Sequence, residues 1–335
     1  MSKTLIVIDP MGFNVTELGL QYFLLDGTLV QPGDTVYRLP YIALAGISNI
    51  DHGVDLLDAK LRSTPGEILV FGYSEGAQVA TKWLRTKGHP APVTPTERVK
   101  FLLIGNAERR YGGFAYKHSV LDALCDTDGL PEPLEDGTST VHYQVTDFAR
   151  QYDGIADFPN SSDIQQAVDS VGAATGDPFT WILRALQDVT NALIGSHKEA
   201  ALNAVLGMSM IHHSYFSVTP DDLHNVRFTD PDHPLVEYVW SPTYPVPLLG
   251  SGITFPSMDR DKRKLVETAY TRPVIMPQPN YAQISLFTKD FFATDDDYRT
   301  PEQPGWWPEQ IGEPPAITLP STSTYPSQML LPTGG

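Results

Sequence analysis

The sequence predicts an α/β architecture: a mostly parallel sheet with helices on both faces, a late helical insertion and an extended C-terminal arm. Three observations predict it. Strand-like and helix-like patterns alternate from residue 4 to about residue 150, the order that builds parallel sheets covered on both sides. The apolar run Ile68-Leu69-Val70-Phe71 feeds directly into Gly72-Tyr73-Ser74-Glu75-Gly76, and a helical pattern begins at once behind it. From Pro273 onward, 11 of the 29 prolines fall within the last 63 residues, a density that excludes helix and interior strand.

In chain order, Thr4–Asp9 reads as a buried first strand and Thr35–Leu39 as a second short one. Ile47, Ile50, Val54, Leu57 and Leu61 keep helical spacing across residues 47–62. Glu67–Phe71 is the strand that carries Ser74, and the helix behind it turns Ala77, Ala80, Trp83 and Leu84 inward and stops at Gly88. Val99–Ile104 and Thr140–Thr146 supply further strands, with a polar, aperiodic loop over residues 107–138. Residues 161–211 change character: amphipathic helical patterns follow one another with no strand between them. Lying between the expected acid and base, they predict a helical cap beside Ser74, with an apolar pocket lined from Trp181, Leu183 and Leu186 or their neighbours. The division is a domain over residues 1–273 and an arm over 274–335. The arm carries Phe291, Phe292, Trp306 and Trp307; disordered tails are poor in aromatics, so it is expected to dock.

Composition narrows the function. A net charge of -17 with no basic run argues against nucleic acid, which needs clustered Lys and Arg, and against an anionic membrane surface. One cysteine, Cys125, allows neither an internal disulfide nor a cysteine-based metal site; no cofactor and no metal is assigned. Thr4–Ile8 is too short an apolar run for a signal peptide, and no stretch has the length of a spanning helix.

The strand–Gly-x-Ser-x-Gly–helix unit is a nucleophile elbow, which lifts one serine clear of the sheet. Glycine is needed at both flanks because a Cβ at Gly72 or Gly76 would strike a neighbouring strand or helix. Ser74 then needs a histidine and an orienting acid, in the order serine, acid, histidine. Asp153, beside Gly154 in a turn-like setting, is the first choice of acid and Asp157 the reserve. His212 or His213, after an apolar helix, is the base; His224 and His233 look like solvated turns. The oxyanion needs backbone N–H donors: Glu75 at the helix start, and Met11 or Gly12 after the first strand, since Pro10 has none.

Five blocks resemble the serine α/β-hydrolase domain of mycobacterial PE-PPE proteins, a cutinase-like family. They are Gly72–Ala77; Leu103–Asn106 with Gly112-Gly113; Tyr152–Pro159; His212–Phe216; and Leu265–Arg272. The resemblance implies a Ser74–Asp153–His212 triad with esterase or lipase activity on acyl esters, the substrates being lipid-like and of the mycobacterial envelope. His213 stands where the family usually has glycine, and the Asp9–Gly12 loop is poorer in glycine and threonine than the family's. Stand-alone relatives with extra C-terminal segments resemble mycobacteriophage tail-associated proteins. That implies a location in the virion tail, with the arm docking on other tail proteins; without it, the N-terminus implies a cytoplasmic protein. The alternative is a structural minor tail or host-attachment protein that keeps the fold with little turnover.

Overall fold

The first strand of the chain is an interior strand of the sheet. Leu5, Ile6, Val7 and Ile8 are fully buried, which a strand achieves only with neighbours on both edges and cover on both faces. In the computed structural model, which describes residues 2–44, 46–89, 91–122, 124–170, 197–249, 256–279 and 298–299, β1 (Thr4–Ile8) pairs in parallel with β2 (Thr35–Arg38) and β3 (Ile68–Tyr73). The sheet continues through β4 (Val99–Ile104) and β5 (Gln144–Arg150) to β7 (Val236–Ser241), with β6 (Val226–Thr229) antiparallel at the edge. The order β2-β1-β3-β4-β5-β7-β6 is that of a mostly parallel α/β-hydrolase sheet. Strand order reverses between β1 and β3, and the crevice beyond the strand C-termini at such a switch point is where open α/β sheets bind ligands.

The two faces are built differently. Ile6, Ile8, Ile68 and Val70 point to the face covered by α1 (Ile47–Ser63) and α2 (Glu75–Thr86). Ile50, Val54, Leu57 and Leu61 of α1 are buried there, at about 1.5–3 kcal/mol each. Trp83 of α2 stacks on Phe101 at 5.6 Å, and Lys87 and Gly88 both donate N–H to the Trp83 carbonyl, ending the helix where the sequence predicts. Leu5, Val7, Phe71 and Tyr73 point the other way, onto Val15, Leu24, Leu25, Leu29, Tyr215 and Val218. Among the described residues this second face is therefore covered by irregular chain with one 3₁₀ turn, Leu20–Tyr22, rather than by helix.

The fifth strand starts later than expected. It runs over Gln144–Arg150, because pairing of Gln144 with Lys100 on β4 sets its start and pairing of Arg150 with Ser241 on β7 sets its end. β6, β7 and α5 (Pro256–Glu267) are additions to the sequence reading. α5 carried no apolar signal because its inward residues include Asp259 and Arg263, both fully buried and paired at 3.0 Å. Residues 161–211 are helical where described, as α3 (Ser162–Ser170) and α4 (Lys198–Met210), which share a core with Phe114, Phe158 and Ala269. Trp181, Leu183 and Leu186 lie outside the described residues.

The expected arm begins inside the folded body: Met276 is buried and Val274 packs on the main core. Gln278 and Pro279 (β8) pair antiparallel with Tyr298 and Arg299 (β9), so proline here permits a two-residue ladder. Phe291, Phe292, Trp306 and Trp307 lie outside the described residues. Among the described residues no helix is long and apolar enough to cross a membrane.

Candidate active site

Ser74 sits between β3 and α2 with φ 55° and ψ −115°, a conformation costly for a residue with a side chain and held only where the surroundings enforce it. The enforcement comes from close packing. A Cβ on Gly72 would lie 2.6 Å from the Gly76 carbonyl oxygen, and one on Gly76 would overlap the Ile8 carbonyl of β1. The Ser74 N–H donates to the Ile104 carbonyl at 2.9 Å, so the elbow is pinned to strands on both sides.

The acid turn follows β5. Tyr152 has φ 67°, which swings the chain so that Asp153 returns toward the elbow. The fully buried Asp153 carboxylate accepts N–H from Ile155 at 2.8 Å and from Ala156 at 3.3 Å, and the Tyr215 hydroxyl at 2.6 Å. Burial pushes its pKa up, but the His212 ring, the Tyr215 hydroxyl and the Ile155 N–H outweigh burial and hold it below the ordinary aspartate value. Asp157, the reserve acid, is engaged elsewhere. It accepts the Tyr152 N–H at 2.8 Å, Arg272 at 2.6 and 2.9 Å, and the Trp240 indole at 3.2 Å. Asp157 thus clamps the strained residue just before Asp153.

The expected base, His212, lies just past the end of α4, where Ile211 and His212 both donate N–H to the Gly207 carbonyl. His212 Nδ1 lies 3.0 and 3.1 Å from the two Asp153 oxygens, and Nε2 lies 3.0 Å from Ser74 Oγ. A carboxylate only accepts, so Nδ1 carries the proton and the Nε2 lone pair faces the serine hydroxyl. His213 is exposed, 5.3 Å away ring to ring in an edge arrangement, with no hydrogen bond to Ser74 or Asp153 among the described residues.

Three supports of this geometry were not anticipated. The Tyr73 hydroxyl donates to the His212 carbonyl. Tyr215, besides reaching Asp153, accepts the Arg150 N–H at 3.1 Å. Gly105, at φ 60°, lies under the His212 ring, where a Cβ would stand 2.6 Å from Cε1. All three residues belong to motif blocks, which was the only signal in the sequence.

For the oxyanion, the loop after β1 lies against the elbow: Ile8 pairs with Gly72, and a Cβ on Gly76 would lie 2.9 Å from the Asp9 carbonyl. Gly12 donates its N–H to the Ala43 carbonyl at 2.7 Å, which leaves Met11 as the expected donor on this loop whose N–H has no partner among the described residues. Glu75 opens α2, so its N–H has no partner within the helix.

The remaining histidines bear on the alternatives. His233 is buried with Nδ1 3.0 Å from Ser139 Oγ, not in a solvated turn as expected. His224 pairs locally with Asp222 at 2.7 Å. Among the described residues no group of three or more His, Cys, Asp or Glu side chains could hold a metal ion.

The PE-PPE domain matches residues 42–167, a span that holds Ser74 and Asp153 and stops before His212. The chain is 27% identical over 217 residues to Esterase PE16 of Mycobacterium tuberculosis H37Rv, covering 62% of this chain and 34% of that protein. It is 26% identical over 226 residues to the PPE family protein PPE42 of M. tuberculosis CDC 1551, covering 64% of this chain and 32% of that one. The chain thus spans about a third of the length of these relatives. Among solved structures, a cutinase-like protein from Cryptococcus sp. aligns at a TM-score of 0.29 and 16% identity, covering 61% of this chain and 95% of that one. The chain therefore carries a match to the PE-PPE domain and homology to a mycobacterial esterase on an α/β-hydrolase sheet.

Proposed function

We propose that this chain is a serine ester hydrolase that works through Ser74, His212 and Asp153. The single observation that carries the reading is the His212 ring, 3.0 Å from Ser74 Oγ on one side and 3.0 Å from Asp153 on the other. Ser74 Oγ attacks the ester carbonyl while its proton passes to His212 Nε2, and the carbonyl π pair moves to the oxygen. The N–H groups of Glu75 and Met11 hold that oxyanion. Collapse expels the alcohol, which takes the proton back from His212 and leaves an acyl-enzyme. A water molecule then repeats the sequence, giving the carboxylic acid and free serine. Asp153 keeps the imidazole in the correct tautomer and steadies the imidazolium.

A lipid-like acyl ester is the substrate class the surroundings favour. Phe13, Leu18, Phe23, Ile42 and Leu44 are exposed on the segments that follow β1 and β2, and Phe216 on the segment that follows the base. Exposed apolar side chains on the segments that lead from the strand ends suit an acyl chain rather than a sugar or peptide. The homology to a mycobacterial esterase makes envelope lipids the natural source. A helical cap over residues 161–211 and a phage tail-associated setting belong to the same proposal. A second reading, a tail or attachment protein with little turnover, is separated by activity.

Hydrolysis of p-nitrophenyl esters of increasing acyl length is the test. The reading requires Ser74-dependent turnover, with kcat/KM rising from acetyl to longer chains. Turnover that is absent, or unchanged in Ser74→Ala, sinks it. Mass spectrometry of purified virions decides the location.

A further inference from the structure

The mechanism uses the Glu75 backbone and leaves its side chain without a task. That side chain is only 6% exposed, and among the described residues neither buried carboxyl oxygen has a hydrogen-bond partner. A helix N-terminus favours a carboxylate by only about 0.3–1 kcal/mol when exposed, whereas an unpaired buried charge costs far more. The groups around it offer no compensation. Tyr41, from the segment after β2, donates its hydroxyl to the Asp9 carbonyl. The Asp9 carboxylate is taken by Arg38 at 2.7 Å and the Val15 N–H at 3.0 Å, and Arg38 is shared with Glu17. On the α1 side, Asp51 pairs with Lys82 at 2.6 Å. On the nucleophile side, His212 is committed to Asp153 and Ser74.

We propose that Glu75 is a charge gate for the oxyanion: its side chain must be an uncharged carboxylic acid for Ser74 to form the tetrahedral intermediate. The inference rests on the serine hydrolase reading and adds to it a positioning residue that acts through the electrostatics of its own N–H. Attack places a full negative charge on the former carbonyl oxygen, against the residue that carries Glu75. A carboxylate there opposes the new charge, while the neutral acid does not. Burial pushes the Glu75 carboxyl up to about 8, so the gate closes just above neutrality. A buried carboxylate on the residue whose N–H faces the oxyanion should lower the rate by roughly tenfold to a hundredfold. Turnover should thus fall as Glu75 loses its proton.

The test is the ratio of kcat at pH 9 to kcat at pH 7 on p-nitrophenyl butyrate, with the Ser74→Ala rate subtracted as background. It is measured in wild type, Glu75→Gln and Glu75→Met, with the melting temperature recorded at each pH. The expected ratio is about 0.1–0.2 in wild type and near 1 in the variants, whatever their absolute rates. A wild-type ratio near 1 overturns the gate even if neither variant folds. So does an equal fall in all three proteins, or a fall that tracks melting. Wild-type turnover no greater than that of Ser74→Ala overturns the hydrolase reading and the gate together, whereas Ser74-dependent turnover with an ungated profile overturns the gate alone.

Discussion

At the scale of single residues, the site is held by contacts between parts of the chain far apart in sequence. Tyr215→Phe removes a 2.6 Å hydrogen bond to Asp153. A bond to a charged acceptor contributes about 1.5–3 kcal/mol, so kcat should fall about tenfold to a hundredfold with little change in KM, which steady-state kinetics will read. Gly105→Ala places a methyl 2.6 Å from the His212 ring at a backbone φ of 60°. It should abolish most turnover while circular dichroism stays native. Ser74 was legible from the sequence because the elbow is local: five residues and their flanks define it. Asp153 over Asp157, and His212 over His213, were not separable that way. Which aspartate faces the base depends on the left-handed Tyr152 and on Arg272, which lies 115 positions away from Asp157. Tyr73 reaches across 139 positions to His212, and no local pattern records such a contact.

At the scale of elements, α4 and the acid turn interlock through two glycines. A Cβ on Gly154 would overlap the Ala204 carbonyl, and one on Gly207 would overlap the Tyr152 carbonyl. Gly207→Ala should therefore push α4 off the turn, moving His212 and lowering both activity and the denaturation midpoint in urea. Asp157→Ala strips the buried Arg272 of the nearer of its two carboxylates, at 2.6 Å, and leaves Glu267 at 2.8 Å. Breaking one partner of a buried pair costs about 3–5 kcal/mol, and urea unfolding should show a loss of that size. The apolar elements were readable because β1 and β3 are short continuous apolar runs and the buried residues of α1 and α2 keep helical spacing. β6 is a four-residue edge strand, half exposed, and α5 turns an ion pair inward, so neither carries that signal. The same reason hid the second face of the sheet, whose cover from Val15 to Leu29 is irregular.

At the scale of the whole molecule, buried carboxyls make stability depend on pH from both sides. Burial raises Glu75, to about 8, and Glu108. Their contributions are complete below the ordinary glutamate value of 4.5 and are lost as pH rises through the folded values. Asp153 and Glu267 are lowered, despite burial, by His212 and by Arg272 respectively. Their contributions are present above the ordinary values and are lost as pH falls through the folded ones. The melting temperature should accordingly be highest in mildly acidic solution and fall by several degrees toward pH 9, with a shallower fall in Glu75→Gln. A net charge of -17 adds self-repulsion on the alkaline side. Fold, acid turn and base converge on one claim, that Ser74 is an activated nucleophile. Its most direct test is labelling of the folded protein with a fluorophosphonate, followed by mass spectrometry of the tryptic peptides. The account predicts one adduct, on the peptide containing Ser74, absent in Ser74→Ala and strongly slowed in His212→Ala; a wild-type protein that stays unlabelled, or is labelled at another serine, would contradict it.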